Sequence, residues 1–348
     1  MRLVAASAAI WVELVAALAG GCALNVCLAA IHHERQAAVL LGAAILQLCL
    51  PYMFTFRYGI SAAALALVSV VGSWKAFDLL AGTRRDGVVD NGFTSLAMHF
   101  ASPVEYQLSV VAPRRQEGHA SRPRHAVKAT PRLWLSYAAH AAGVYSALAV
   151  TASVHGYCEH AGIRAPALYA EVWGIFLFLH LLTDVFSTLV AVAGYAPEIM
   201  FRDPLLRSTS LSDFWGRRWN LLIHGLLKRT VFRPLTRRGV PAWGASVVVF
   251  AVSGLFHEYA FAPMQPDLRA STGRCLLFFL CQPLALAAER FLAARVPMPR
   301  PLRSDAARTL VWTALLLPLV PLFVRPLKAS GLFGQVFRLV PRLAFGGS

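Results

Sequence analysis

Long apolar runs separated by short polar intervals dominate the chain. A helix needs about 20 apolar residues to cross a hydrocarbon core about 30 Å thick. Runs of that kind fall at Ala8 to Ile31, Ala37 to Phe54, Ile60 to Leu80, Leu133 to Val154, Ala167 to Ala193, Trp243 to Ala262, Cys275 to Ala294 and Thr309 to Phe323. The pattern predicts an all-α, polytopic membrane protein of about eight transmembrane helices, forming a single membrane domain over residues 1–348. The last run is short and holds Pro318 and Pro321, so it is expected to be broken or tilted. The opening, Met1-Arg2 followed by Leu3 to Leu18, has the form of a signal peptide. Its apolar character continues to Ile31, long enough to span, so an uncleaved first helix is expected. No internal repeat or low-complexity segment stands out.

Composition confirms the solvent and adds a charge. The chain is 57% hydrophobic with a mean hydropathy of +0.56, and 14% of it is charged, against about 25% in soluble domains. The formal net charge is +16, and all but four of the 33 cations are arginine. A basic balance suits nucleic acid, anionic lipid head groups or a phosphorylated substrate, and the membrane character sets nucleic acid aside. Of the six cysteines only Cys158 lies in an expected loop; the others read as buried small hydrophobes, with no metal or disulfide pattern.

Loop charge orients the spans. The basic segments 81–132 (Arg84, Arg85, Arg114, Arg115, Arg122, Arg124, Lys128, Arg132) and 197–240 (Arg202, Arg207, Arg217, Arg218, Lys228, Arg229, Arg233, Arg237, Arg238) are expected in the cytosol. The loop His155 to Pro166 holds only Arg164 and is expected on the opposite side. Four arginines between Arg295 and Arg308 fit this parity, which places the N-terminus in the lumen if the membrane is the endoplasmic reticulum. Arg325, Lys328, Arg338 and Arg342 run against it, as a ninth or re-entrant segment would explain. The polar stretch 113–125 reads as a solvated hairpin or flexible insert, the alternative being an anionic-lipid patch.

Candidate chemistry starts from His257, near the end of an otherwise apolar span. A titratable ring in hydrocarbon is expensive and marks a function or a cavity. Upstream runs Ser208-Thr209-Ser210-Leu211-Ser212-Asp213-Phe214-Trp215-Gly216-Arg217-Arg218-Trp219-Asn220, followed by Leu221-Leu222-Ile223-His224. A histidine can take a proton from a hydroxyl, and an asparagine amide can donate to a developing oxyanion without adding net charge. Together they suit acyl transfer from a thioester to an alcohol. The alcohol itself attacks, so no covalent nucleophile, metal or other cofactor is needed. The sequence has no G-x-S-x-G, H-E-x-x-H, P-loop or G-x-G-x-x-G motif.

Blander readings stand beside these. A membrane histidine can simply bond a neighbouring helix, and His257 beside Glu258 would also suit a proton-coupled transporter. Neighbours on a helix point about 100° apart, so Glu258 reads as structural or supporting. His224 shares a helical face with Asn220 and serves either catalysis or helix packing. His140 and His180 read as core hydrogen-bonding groups, and His32-His33 as a loop pair.

The run Ser210 to Asn220 with Ser253-Gly254-Leu255-Phe256-His257-Glu258, together with Trp74-Lys75 in the third span, resembles the plant wax synthases of the membrane-bound O-acyltransferase family. The resemblance implies an integral, multi-pass enzyme of the endoplasmic reticulum that esterifies a long-chain fatty alcohol with an acyl group from acyl-CoA. Sterol or diacylglycerol is the alternative acceptor. It matches His257 to the catalytic histidine and Asn220 to its partner. His224, Glu258 and Asp213 follow as supporting residues. Trp215, Arg217, Arg218, Trp219, Lys228, Arg229 and Arg233 follow as candidates for binding acyl-CoA, although positive-inside bias alone would place many of these cations there. Both tryptophans read first as interfacial anchors. Fourteen residues separate Trp243 from His257, roughly 21 Å along a helix. The segment Phe214 to Leu227 is therefore expected to be a helix that dips into the bilayer and meets His257 at a buried tunnel.

Overall fold

A lipid-embedded backbone must satisfy its own hydrogen bonds, and helices do so within one segment. The computed structural model describes residues 1–33, 37–81, 92–110, 124–265, 272–295 and 304–345. Arg84, Arg85, Arg114, Arg115, Arg122, Arg300, Arg303 and most of the stretch 113–125 lie outside the described residues. The described residues are overwhelmingly helical, with two small two-stranded sheets. Among the described residues, six helices are long and apolar enough to cross a membrane. Their faces carry exposed aliphatic residues such as Val150, Val192, Leu255 and Leu284, as lipid-facing surfaces do. The protein is an integral, multi-pass membrane protein.

The residues divide into two compact units. The first, Met1–Glu198 with Gly331–Ser348, opens with strand β1 (Arg2–Val4) and helices α1 (Ala8–His33), α2 (Ala37–Met53), α3 (Gly59–Leu80) and α4 (Gly92–Ala101). Strands β2 (Leu108–Val110) and β3 (Arg124–Ala126) form an antiparallel hairpin. Two long helices follow, α5 (Pro131–His160) and α6 (Arg164–Val192). The chain returns at its end through Leu332–Arg338 and strand β4 (Arg342–Ala344), which pairs antiparallel with β1.

Polar side chains tie the first helices together. Gln47 donates to Asn25 Oδ1 at 2.5 Å, Asn25 donates to the Val68 carbonyl at 3.3 Å, and Ser73 Oγ donates to the Ala44 carbonyl at 2.8 Å. Lys75 is fully buried on α3, and its ammonium donates to the carbonyls of His99 and Ser102 at 2.5 and 2.8 Å. Glu13 on α1 accepts the Arg57 and Tyr58 amides at 3.3 and 2.9 Å, where α3 begins.

The second unit, Ile199–Ser330, begins with short pieces: α7 (Pro204–Arg207), α8 (Leu211–Asp213), a π-turn at Phe214–Arg218, α9 (Leu221–Leu227), a second π-turn at Lys228–Phe232 and α10 (Arg233–Arg237). Two spanning helices follow, α11 (Ala242–Phe261), continued by a 3₁₀ turn to Met264, and α12 (Arg274–Arg295). Helices α13 (Asp305–Leu316) and α14 (Val320–Ala329) close the unit. Gly254 on α11 lets the backbones of α11 and α12 approach: a Cβ there would lie 2.8 Å from the Leu276 Cα.

Several expectations change. Of the eight runs, six became helices of spanning length; Ala37–Met53 has 17 residues, and the eighth run is broken between α13 and α14 around Pro318, as its prolines led us to expect. Cys158 is buried within α5, which continues to His160, so only residues 161–163 connect α5 and α6. His32 and His33 end α1 rather than occupying a loop. All six cysteines are free, but Cys27 and Cys49 are exposed rather than buried, since a small apolar thiol is as compatible with lipid as with a core.

Gly254→Ala should destabilise the protein by about 1–3 kcal/mol through overpacking, read as a lower midpoint of thermal unfolding in detergent. Gly143→Ala, whose new methyl meets nothing within 4 Å, should leave the midpoint in place. Equal midpoints for the two variants would contradict the close approach of α11 and α12.

Candidate active site

The polar run folds as a chain of caps rather than as one helix. Ser210 caps α8 by accepting the Asp213 amide at 2.9 Å, and Asp213 Oδ2 reaches back to the Thr209 amide, one residue before the cap, at 3.4 Å. Asp213 also receives Arg218 Nε at 2.6 Å, with Arg217 Nε at 3.9 Å. Arg218 in turn donates to the Arg202 carbonyl at 3.1 Å. Across from this, Glu289 on α12 accepts the amides of Leu211 and Ser212 at 2.6 and 3.2 Å. The carbonyl of Ser208 accepts the Thr309 hydroxyl at 2.7 Å and the Trp312 indole N–H.

The expected continuous helix Phe214 to Leu227 is interrupted at its centre. The Trp219 amide closes the wide turn on Phe214 at 2.9 Å, and Asn220 adopts a left-handed conformation with φ 40° and ψ 66°. Asparagine tolerates that region better than most residues because its short amide bonds locally. Here Oδ1 accepts the Ile223 amide at 3.3 Å and caps α9. The amides of Leu221 and Arg202 pair with the carbonyls of Met200 and Arg218 at 2.9 and 3.0 Å, bracing the break. With Oδ1 committed to the cap, the side chain offers Nδ2 as a donor.

His257 projects from α11 into an aromatic surround. Its ring stacks on Phe279 with centroids 4.5 Å apart and planes 29° from parallel, and meets Phe256, Phe261 and Phe323 edge-on. Nδ1 lies 2.7 Å from the Ser253 carbonyl. A carbonyl can only accept, so Nδ1 carries the proton and Nε2 presents a lone pair. Glu258 is turned away to accept the Leu276 amide at 3.0 Å, near the start of α12.

One cavity of about 350 Å³ has Asn220, His224 and His257 in its wall, together with Trp215, Trp219, Lys228, Phe279 and Arg290. Both tryptophans line the cavity. Trp215 donates Nε1 to Gln282 at 3.1 Å, and Trp219 stacks on Phe214. His224 shares the wall with Asn220, and burial, with Lys228 one turn away, pushes its imidazole below the usual histidine range. Lys228 is the one acyl-CoA cation candidate in the wall. Arg217, Arg218, Arg229 and Arg233 stand outside it, and Asp213 acts as a cap and ion-pair partner.

Gln282, Glu289 and Arg290 were missed by sequence reasoning. The signal lay in the span itself, because Phe279, Gln282, Leu286 and Arg290 recur at intervals of three and four along α12, with Glu289 beside them. Polar groups on one face of an apolar helix carry the same mark as His257 does.

Residues 198–281 match the membrane bound O-acyl transferase family. The long-chain-alcohol O-fatty-acyltransferase of Simmondsia chinensis is 35% identical over 111 residues, covering 29% of this chain and 31% of that protein. Probable long-chain-alcohol O-fatty-acyltransferase 9 of Arabidopsis thaliana is 29% identical over 199 residues, covering 51% and 58%. Acyl-CoA–sterol O-acyltransferase 1 of Arabidopsis thaliana is 32% identical over 148 residues, covering 39% and 41%. The chain thus spans between 31% and 58% of the length of these relatives. The segment that brings Asn220 and His257 to one cavity is the one that matches the membrane bound O-acyl transferase family, in a chain similar to the long-chain-alcohol O-fatty-acyltransferases.

Proposed function

We propose that this protein transfers a fatty acyl group from acyl-CoA to the hydroxyl of a long-chain fatty alcohol, giving wax ester and CoA, in the endoplasmic reticulum membrane. The observation that carries the reading is the shared cavity of His257 and Asn220, with Nδ1 of the histidine held by a carbonyl and Oδ1 of the asparagine held by a cap. Each residue keeps one group for chemistry, Nε2 as base and Nδ2 as donor. The hydroxyl gives its proton to Nε2 as its oxygen attacks the thioester carbonyl, and Nδ2 donates to the tetrahedral oxyanion. The carbon–sulfur bond then breaks, and the proton on Nε2 passes to the departing thiolate.

Lys228 and Arg290 give the cavity wall positive charge, and Trp215 and Trp219 give it aromatic surface. Both suit a ligand with phosphates at one end and an alkyl chain at the other. A proton-coupled transporter is disfavoured because Glu258, the natural relay partner of His257, is bound to the Leu276 amide.

His257→Ala should abolish ester formation by protein purified in detergent while its abundance stays normal; near-normal turnover would remove His257 from the chemistry. Asn220→Ala should lower the rate about 10²- to 10³-fold, the usual loss for one oxyanion donor, and a silent variant would leave it only the cap. For the acceptor, the protein is expressed in a host without neutral-lipid acyltransferases and supplied in parallel with fatty alcohol, sterol and diacylglycerol. Wax ester should accumulate; sterol ester or triacylglycerol alone would keep the mechanism and replace the acceptor, and no ester at all would overturn the enzyme. The proposed orientation predicts that a cytosolic thiol reagent labels a cysteine placed at Arg115 or Arg237 but not one at Arg164; the reverse pattern would invert the topology.

A further inference from the structure

Helices α5 and α6 bury a polar group that no step of acyl transfer uses. Asp184 lies inside the spanning helix α6, its side chain 6% exposed. Its Oδ2 stands 2.7 Å from His140 Nδ1 on α5 and 3.4 Å from His180 Nδ1, one turn earlier on α6. The two imidazole rings are 5.1 Å apart. Among the described residues, no lysine or arginine pairs with Asp184. An ionised carboxylate inside a membrane span needs positive charge beside it.

The three side chains can each offer a ligand atom, and these atoms lie within 4.8 Å of one another. Two imidazole nitrogens and a carboxylate oxygen are the donor set that Zn²⁺ and neighbouring transition metals accept. Bonds of about 2.0–2.1 Å to a tetrahedral ion separate ligand atoms by about 3.3 Å, and the contacts of 2.7 and 3.4 Å bracket that value. His140, with 57% of its side chain exposed, leaves the group uncovered by other side chains on that side.

The geometry points to a divalent transition-metal site formed by His140, His180 and Asp184, which clips α5 to α6. The ion balances the buried carboxylate and joins two helices across their interface. It belongs to the architecture and is independent of the acyl-transfer reading. The other histidine–carboxylate group on these helices, His155 with Glu159 and Glu171, offers a single nitrogen, a poorer set for such an ion, and serves as the comparison.

The test uses the full chain purified in detergent, stripped with a chelator and dialysed against ZnCl₂, with bound zinc per chain measured by mass spectrometry. Asp184→Asn and His180→Ala should each lose one equivalent relative to the unaltered protein, while Glu159→Gln and His257→Ala keep it. Asp184→Asn preserves side-chain shape, and a single symmetrical elution peak establishes that it folds. In the unaltered protein, Zn²⁺ should also protect His140 and His180 from carbethoxylation by diethyl pyrocarbonate, a readout that needs no variant. Equal zinc in the unaltered protein and a folded Asp184→Asn variant, or unprotected His140 and His180 at saturating Zn²⁺, would overturn the site.

Discussion

The first backbone N–H groups of a helix have no partner within it, and here three glutamates accept amides at helix starts. Glu13 accepts the amides at the start of α3, Glu258 an amide near the start of α12, and Glu289 two amides at the start of α8. A carboxylate at a helix N-terminus also meets the positive end of the helix dipole. The arrangement therefore settles two costly groups at once, an acid in an apolar segment and a set of unpaired donors. In the unit Ile199–Ser330 it also sets the site. Glu289 fixes where the polar run begins, Glu258 ties α12 to the residue after His257, and Gly254 lets the two helices close.

The break at Asn220 follows from the same constraint. A continuous helix from Phe214 to Leu227 would tie up the backbone and point the side chain of residue 220 wherever helical geometry dictates. Stopping after Trp219 and restarting at Leu221 turns Asn220 into a cap whose oxygen is spent on Ile223. The amide is thereby oriented by the local fold. The wide turns on either side, Phe214–Arg218 and Lys228–Phe232, are helical irregularities of the kind found at functional sites. The first is braced by Arg218 on Asp213 and by the Met200–Arg202 backbone.

The spanning helices were legible because hydrophobic length is a one-dimensional property: Ala8–His33, Gly59–Leu80, Arg164–Val192, Ala242–Phe261 and Arg274–Arg295 lie close to the runs that predict them. The break in the eighth run was legible too, because Pro318 and Pro321 act on backbone geometry while leaving hydropathy high. His257 and Asn220 were legible as residue types in unusual places, and Glu258 as a structural acid from helical phase alone. The wall supplied by α12 was harder to see. Gln282, Glu289 and Arg290 become informative only when Trp215, Leu211 and the cavity are placed against them, and no local spacing announces a contact between residues 67 or 78 positions apart. The surroundings of Arg217 and Arg218 were hidden for a related reason. Sequence shows a charge beside a motif, but not that Asp213 has already claimed it.

The membrane histidines show why residue type alone does not identify a base. His140, His155 and His180 face carboxylates, partners that fix a ring and bring charge with them. His257 faces the Ser253 carbonyl within its own helix. A carbonyl fixes the tautomer as firmly, yet adds no net charge and cannot itself take the proton. The ring is held between Phe279 and edge-on phenylalanines, so its plane is set by apolar packing. The polar contact is left to decide which nitrogen stays free. Catalytic candidacy in this chain therefore rests on where the second nitrogen lies, since a carbonyl and a carboxylate both leave it free: His257 shares a cavity wall with Asn220.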